Sequence, residues 1–291
     1  MTFLQQLING IHVGSIYALI ALGYTMVYGI IKLINFAHGD IIMMGAYITF
    51  VSLIMFNVPI WMAVIIAILI CLISGILIER IAYKPLRNAP RISALITAIG
   101  VSLFIENLFF KIFGGNPRPF PVLIDPTPIS LGSLQISMVT IVTIVVSILL
   151  MIALDLFVKK TKTGKAMRAV SEDHGAAQLM GINVNTTISI TFAIGSMLAA
   201  VGGILYSTAY PQIDPFMGMM PGLKAFVAAV LGGIGIIPGA MLGGFIMGIA
   251  ESFTKGYISS QLADAVVFGI LILVLSLKPS GIFGKNVKEK V

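Results

Sequence analysis

Apolar residues fall in long, nearly unbroken blocks with short polar interruptions. A membrane-spanning helix needs about 20 mostly apolar residues. Runs near that length cover residues 4–31, 41–56, 60–78, 92–113, 138–158 and 186–210. A further pair, 222–231 and 240–253, is split by glycines, and a last run covers 263–277. The pattern predicts an all-α, polytopic transmembrane bundle of about eight or nine membrane elements, some too short to cross alone. The first run has neither a basic leader nor a small-residue cleavage site, so it reads as a retained helix and not as a signal peptide. The longest polar stretch is only about 159–185, so residues 1–291 read as one membrane domain with a small loop appended.

Composition narrows the class. Hydrophobic residues make up 58% of the 291 and charged residues 10%, against about a quarter charged in soluble proteins. Mean hydropathy is +1.05. These values exclude disorder, a nucleic-acid-binding surface and an ordinary soluble enzyme. The remaining charge is basic, 18 Lys+Arg against 11 Asp+Glu, and it is clustered. Arg80, Lys84, Arg87 and Arg91 form one group; Lys159, Lys160, Lys162, Lys165 and Arg168 a second; Lys278, Lys285, Lys288 and Lys290 a third. Basic clusters flanking apolar runs mark the cytoplasmic side. They lack the interleaved aromatics of a nucleic-acid patch. The proline-rich stretch 114–137 is then outside, and the C-terminus is cytoplasmic. Simple counting puts the N-terminus outside, unless a broken helix near 32–40 changes the count. Between the second cluster and the C-terminus an even number of crossings requires 222–231 and 240–253 to form a short hairpin.

Ionisable groups in a bilayer are candidates for function. The clearest set is INFAHGD at 34–40, between two apolar runs. Asn35, Phe36, His38, Gly39 and Asp40 favour a helix break, and non-helical backbone at membrane depth is tolerated where it lines a cavity. A tight interfacial turn with an Asp cap is the alternative. A second break is LGGIGIIPGA, with Gly232, Gly233, Gly235, Pro238 and Gly239. It reads either as an interrupted helix facing the first or as close helix packing, with Pro238 suited to start the next helix. A phosphate-binding G-x-x-x-x-G-K-[ST] motif is absent from the sequence, as are H-E-x-x-H and G-x-S-x-G. The chain is therefore not expected to bind ATP or a metal, or to act as an enzyme. Blander roles suit the lone polar residues. His12 is expected to make an interhelical hydrogen bond, Glu106 and Asn107 to pair near the outer interface, and Asp155 to pair with Lys159 at i,i+4. Cys71 reads as an inert buried thiol.

The polar loop reads TKTGKAMRAVSEDHGAAQLMGINVN from Thr161. Helix formers fill 165–170. Ser171 can cap a new short helix with Glu172 and Asp173 in its first turn. Ala176, Ala177, Leu179 and Met180 supply small and apolar contacts, and Gly181 stops it. Such a helix either lies on the lipid interface or fits a groove on a cytoplasmic partner.

The loop resembles the coupling segment of ABC importer permeases, although Asp173 and His174 stand where alanines are usual. NGIHVGSIYALIALGYTMVYGIIKLINFAHGDIIMMGAY from Asn9, ERIAYKPLR from Glu79, and the stretch from Gly222 through LGGIGIIPGAMLGG resemble one family over essentially the whole chain. It is the branched-chain amino acid ABC transporter permease of LivH type. The resemblance implies a type II-like importer permease in a bacterial inner membrane. It implies a second, LivM-type permease subunit, two cytoplasmic ATPases that bind ATP and Mg, and an extracytoplasmic binding protein that selects Leu, Ile or Val. It also implies that Glu172, Asp173, Ala176, Ala177, Leu179 and Gly181 couple to the ATPases. Their motion would change which side opens to a pathway at 35–40 and 232–239. Related permeases for urea or short amides are the nearest alternative. An ion-coupled secondary transporter is a distant one, because membrane acids are sparse.

Overall fold

The computed structural model describes residues 3–87, 89–131 and 134–284; Lys285, Lys288 and Lys290 of the third basic cluster lie outside them. In chain order the helices are α1 (Phe3–Ile31), α2 (His38–Ile54), α3 (Ile60–Ile78), α4 (Arg91–Phe113), α5 (Met138–Lys160), α6 (Lys162–Glu172), α7 (His174–Leu179), α8 (Val184–Ala209), α9 (Met219–Gly232), α10 (Ile237–Tyr257) and α11 (Ala263–Leu277). Six spans are long and apolar enough to cross a membrane, and α2, α9 and α11 are apolar but shorter. The all-α expectation holds. The stretch read as an open proline-rich loop contains short strands. Among them β2 (Pro128–Leu131) pairs antiparallel with β3 (Leu134–Ser137), and β1 (Arg118–Pro119) pairs with β4 (Gln212–Ile213).

Burial separates core from periphery. In the most apolar window of α1, 89% of residues are buried, and in that of α8, 72%, against 17–22% for the spans at α3, α4 and α5. A helix that is apolar all round but buried belongs to the centre. Small residues let the backbones approach, the usual way helices pack without a hydrophobic drive between them. Along the α1–α10 contact Ser252 bonds to Gln6, Gly248 meets Gly14 and Gly235 meets Gly29, an antiparallel register over the whole length. A Cβ on Gly248 would lie 2.2 Å from the Gly14 nitrogen. On α1's other side, Gly23 meets Gly195 and Ile20 meets Gly202 of α8. Gly75 and Glu79 of the α3 segment meet Ser196 and Ser189 of α8.

The glycine-split pair is a hairpin, but not the short one expected. Gly232 meets Gly239, Ala228 meets Gly243 and Lys224 meets Glu251, so α9 and α10 run antiparallel. α10 extends to Tyr257, past the predicted limit of 253, because Glu251 and Lys255 are paired with other charges and need not end the helix.

One end of the bundle gathers the end of α1, the stretch 79–87, α6 and α7, the α9–α10 turn and residues 278–284. His174 of α7 bonds the Ile30 carbonyl at 3.0 Å, and the amides of Ile282 and Phe283 bond the carbonyls of Leu231 and Gly232. The described basic clusters therefore share this end. Gln5, near the start of α1, instead exchanges hydrogen bonds with Gln135 of β3 at the opposite end.

Candidate functional site

The break after α1 is real. Lys32 turns the chain with a φ of 54°, residues 32–35 are non-helical, and α2 starts at His38. The N-cap position is Ala37, which makes no side-chain cap, so the turn is not the Asp-capped one considered above. The chain folds back into the bundle: the His38 ring lies 4.4 Å from that of Tyr24, midway along α1. Asn35, His38 and Asp40 are buried. Asn35 accepts a hydrogen bond from Tyr83 at 3.1 Å, Phe36 stacks loosely on Phe226 at 6.4 Å, and Asp40 faces Ser102 and Glu106 of α4. Glu106 is thus paired, with Asp40 in the first turn of α2.

The second predicted segment lies elsewhere. Gly233 and Gly235 take φ values of 105° and 95° and form the α9–α10 turn at the basic end, with Pro238 in the first turn of α10 as expected. Gly235 borders a cavity of about 850 Å³ there, shared with Glu172. Lys32, at the start of the first break, lines the same cavity, but Gly39 has a different neighbour. Gly39 instead meets Gly218 and Gly222 where α9 begins, with the Gly218 carbonyl 2.9 Å from where a Gly39 Cβ would stand. The helix start at Met219 carries no capping sequence signal and was missed for that reason.

The strongest electrostatic feature was not anticipated. Glu251, 2% exposed, accepts from Lys224 at 2.9 Å, Lys255 at 2.6 Å and Tyr17 at 2.8 Å. Lys224 also pairs with Asp264 at 2.6 Å. One network therefore joins α1, α9, α10 and α11. Buried charges persist only when paired and hydrogen-bonded, and acids and bases inside apolar runs are the signal that could have found this one. A second buried acid, Glu79, pairs with Arg87 and accepts from Ser189 at 2.6 Å, tying the end of α3 to α8. Cys71 is buried, as expected. His12 Nε2 has no hydrogen-bond partner among the described residues, so the interhelical bond expected of His12 is not made through that nitrogen.

In the polar loop the cap is Asp173 and not Ser171: its carboxylate accepts from the Ala176 amide at 2.9 Å. Ser171 and Glu172 instead end α6, which Thr161 caps at its start and extended backbone at Asp173 closes. Gly181 stops the segment with a φ of 80°. Ala177 is buried against its own chain, whereas Leu179 and Met180 are 90% and 82% exposed. The face offered outward is therefore Leu179–Met180 with Ala176, and Ala177 supports it from behind.

Long apolar helices around a buried core, interrupted helices, and a charge network within the bundle define a polytopic membrane protein with a polar interior. The chain belongs to the family described as branched-chain amino acid transport system / permease component, whose model matches residues 6–275. It is 46% identical to the high-affinity branched-chain amino acid transport system permease protein BraD of Pseudomonas aeruginosa, over 99% of this chain and 98% of that one. It is equally similar to the permease protein LivH of Escherichia coli K12, with the same coverage. A probable branched-chain amino acid permease of Methanocaldococcus jannaschii is 30% identical over 94% of this chain and 90% of its own length. The chain is thus a permease component of a multi-component transport system and not an enzyme.

Proposed function

We propose that this chain is one of two membrane subunits of an ATP-driven importer that carries Leu, Ile or Val across a bacterial inner membrane, with its basic end in the cytoplasm. The observation that carries the reading is the 46% identity, over nearly the full length, to two permeases named for branched-chain amino acids. The gathering of the described residues of the three basic clusters at one end supports the orientation. The exposed Leu179–Met180 tip at that end supports docking on a cytoplasmic ATPase, since an apolar pair rimmed by polar residues marks an interaction site. ATP and Mg belong to those partners, an extracytoplasmic binding protein selects the substrate, and a second permease completes the pathway. Asn35, Phe36, His38, Gly39 and Asp40 hold the re-entrant segment whose movement against the start of α9 opens the path. Gly232, Gly233, Gly235, Pro238 and Gly239 form a hinge beside the ATPase. The test is the complex purified with its partners, with ATPase activity measured against candidate substrates on the binding protein. Stimulation by leucine, isoleucine or valine is expected; stimulation by urea or a short amide alone would overturn the substrate.

A further inference from the structure

A cavity of about 580 Å³ opens at the end of the bundle opposite the basic clusters. Its wall includes Asn9, His12 and Val13 of α1, Tyr210 just past α8, and Glu251 and Lys255 of α10. Sites for small ligands span about 300–1,000 Å³, so the volume suits a single small metabolite. Charges of both signs meet in it, because Lys255 Nζ lies 2.6 Å from Glu251 Oε1. Lys224 and Tyr17 grip the same carboxylate from within the bundle, so it is fixed before any ligand arrives. A carboxylate offers about four lone-pair positions; these three partners leave one. Lys255 is 41% exposed and spends one donor on Glu251, leaving others for the cavity. His12 Nε2 is shielded from solvent and has no hydrogen-bond partner among the described residues.

We propose that this cavity is an outer receiving site for an aliphatic α-amino acid as its zwitterion. Lys255 and His12 take the carboxylate, Glu251 and the second lone pair of the Asn9 amide oxygen, which also accepts from Gln5 at 3.3 Å, take the ammonium, and Val13 and the Tyr210 ring face the side chain. The assignment rests on the transport function proposed above and adds the residues that first hold the substrate. A lone anion meets Glu251 and a lone amine meets Lys255, each a repulsion. Only a ligand carrying both charges on groups joined to one carbon satisfies the pair. Neutral solutes such as urea leave it unanswered, and that builds a preference through mismatch as well as through contact.

The test uses the complete complex in vesicles, with Cys71→Ala and Ser260→Cys. Ser260 lines the cavity but takes no part in the proposed binding. A cationic thiol reagent is applied from outside. Labelling is expected to slow about tenfold once leucine exceeds its dissociation constant about tenfold. Leucinamide, which lacks the carboxylate, and 4-methylpentanoate, which lacks the ammonium, are expected to leave it unchanged. Lys255→Met should abolish protection and Lys255→Arg should keep it. Equal labelling with and without leucine, or equal protection by leucinamide, overturns the site. If Lys255→Met fails to assemble, the analogue series alone decides. ATP-driven leucine uptake is measured in the same vesicles: uptake without protection sinks this site only, and no uptake sinks the transport reading.

Discussion

Glu251 shows how one residue can organise four helices. Its two oxygens hold partners from α1, α9 and α10, and Lys224 passes the link to Asp264 on α11. Removing one member of a buried pair strands the other, at about 3–5 kcal/mol. Glu251→Ala is therefore expected to lower the melting temperature of the purified protein in detergent sharply, and adding Lys224→Met should recover part of the loss. Lys159→Ala, which breaks the exposed pair with Asp155, is expected to change stability by no more than about 0.5 kcal/mol. The two pairs also differ in how legible they were. Asp155 and Lys159 are four residues apart on one helix, so spacing alone predicts their contact. Lys224 and Glu251 meet only because α9 folds back on α10 in one register, and spacing along the chain carries no trace of that.

At the scale of elements, the tight helix contacts and the short cytoplasmic-type helix make separate demands. Gly244 sits so close to α1 that a Cβ would stand 2.4 Å from Ala18 Cα, backbone against backbone. Neither side can yield, so Gly244→Val should destabilise by more than the roughly 1–3 kcal/mol of ordinary overpacking, read as loss of monodisperse protein on size exclusion. On α7, Leu179→Asp with Met180→Asp should leave folding intact, because both side chains are exposed, and should abolish co-purification of the ATPase. Ala177→Phe should instead disturb the loop itself, because that side chain is buried. Amphipathic reasoning had grouped Ala177 with the contact residues. Six residues of helix are too few for periodicity to say which alanine points inward. Two helix boundaries were more legible: Gly181 ends a helix and Pro238 begins one, each through backbone geometry that its own chemistry dictates. The start of α9 was not, since Gly218 offers no side-chain cap to set it apart from the chain's other glycines.

Across the whole molecule, charge and hydropathy make a consistent map. The described members of the three basic clusters lie at one end, the strand pairs at the other, and the most buried spans in between. Long apolar runs revealed the span number and the fold class. They could not reveal that the break at 32–37 folds back to meet α9, because a break states where a helix stops and not where the chain goes next. Single-cysteine labelling checks the orientation. In a Cys71→Ala background, an impermeant reagent outside the cell membrane should modify Gln261→Cys and spare Lys162→Cys; the reverse would invert the map. The central assignment is tested most directly by reconstituting this chain with its partner permease, ATPases and binding protein in vesicles, and following labelled leucine. Uptake that requires ATP and the binding protein, and that excess isoleucine or valine suppresses, is the expected result. Uptake driven by an ion gradient without ATP, or none while another solute is carried, would contradict it.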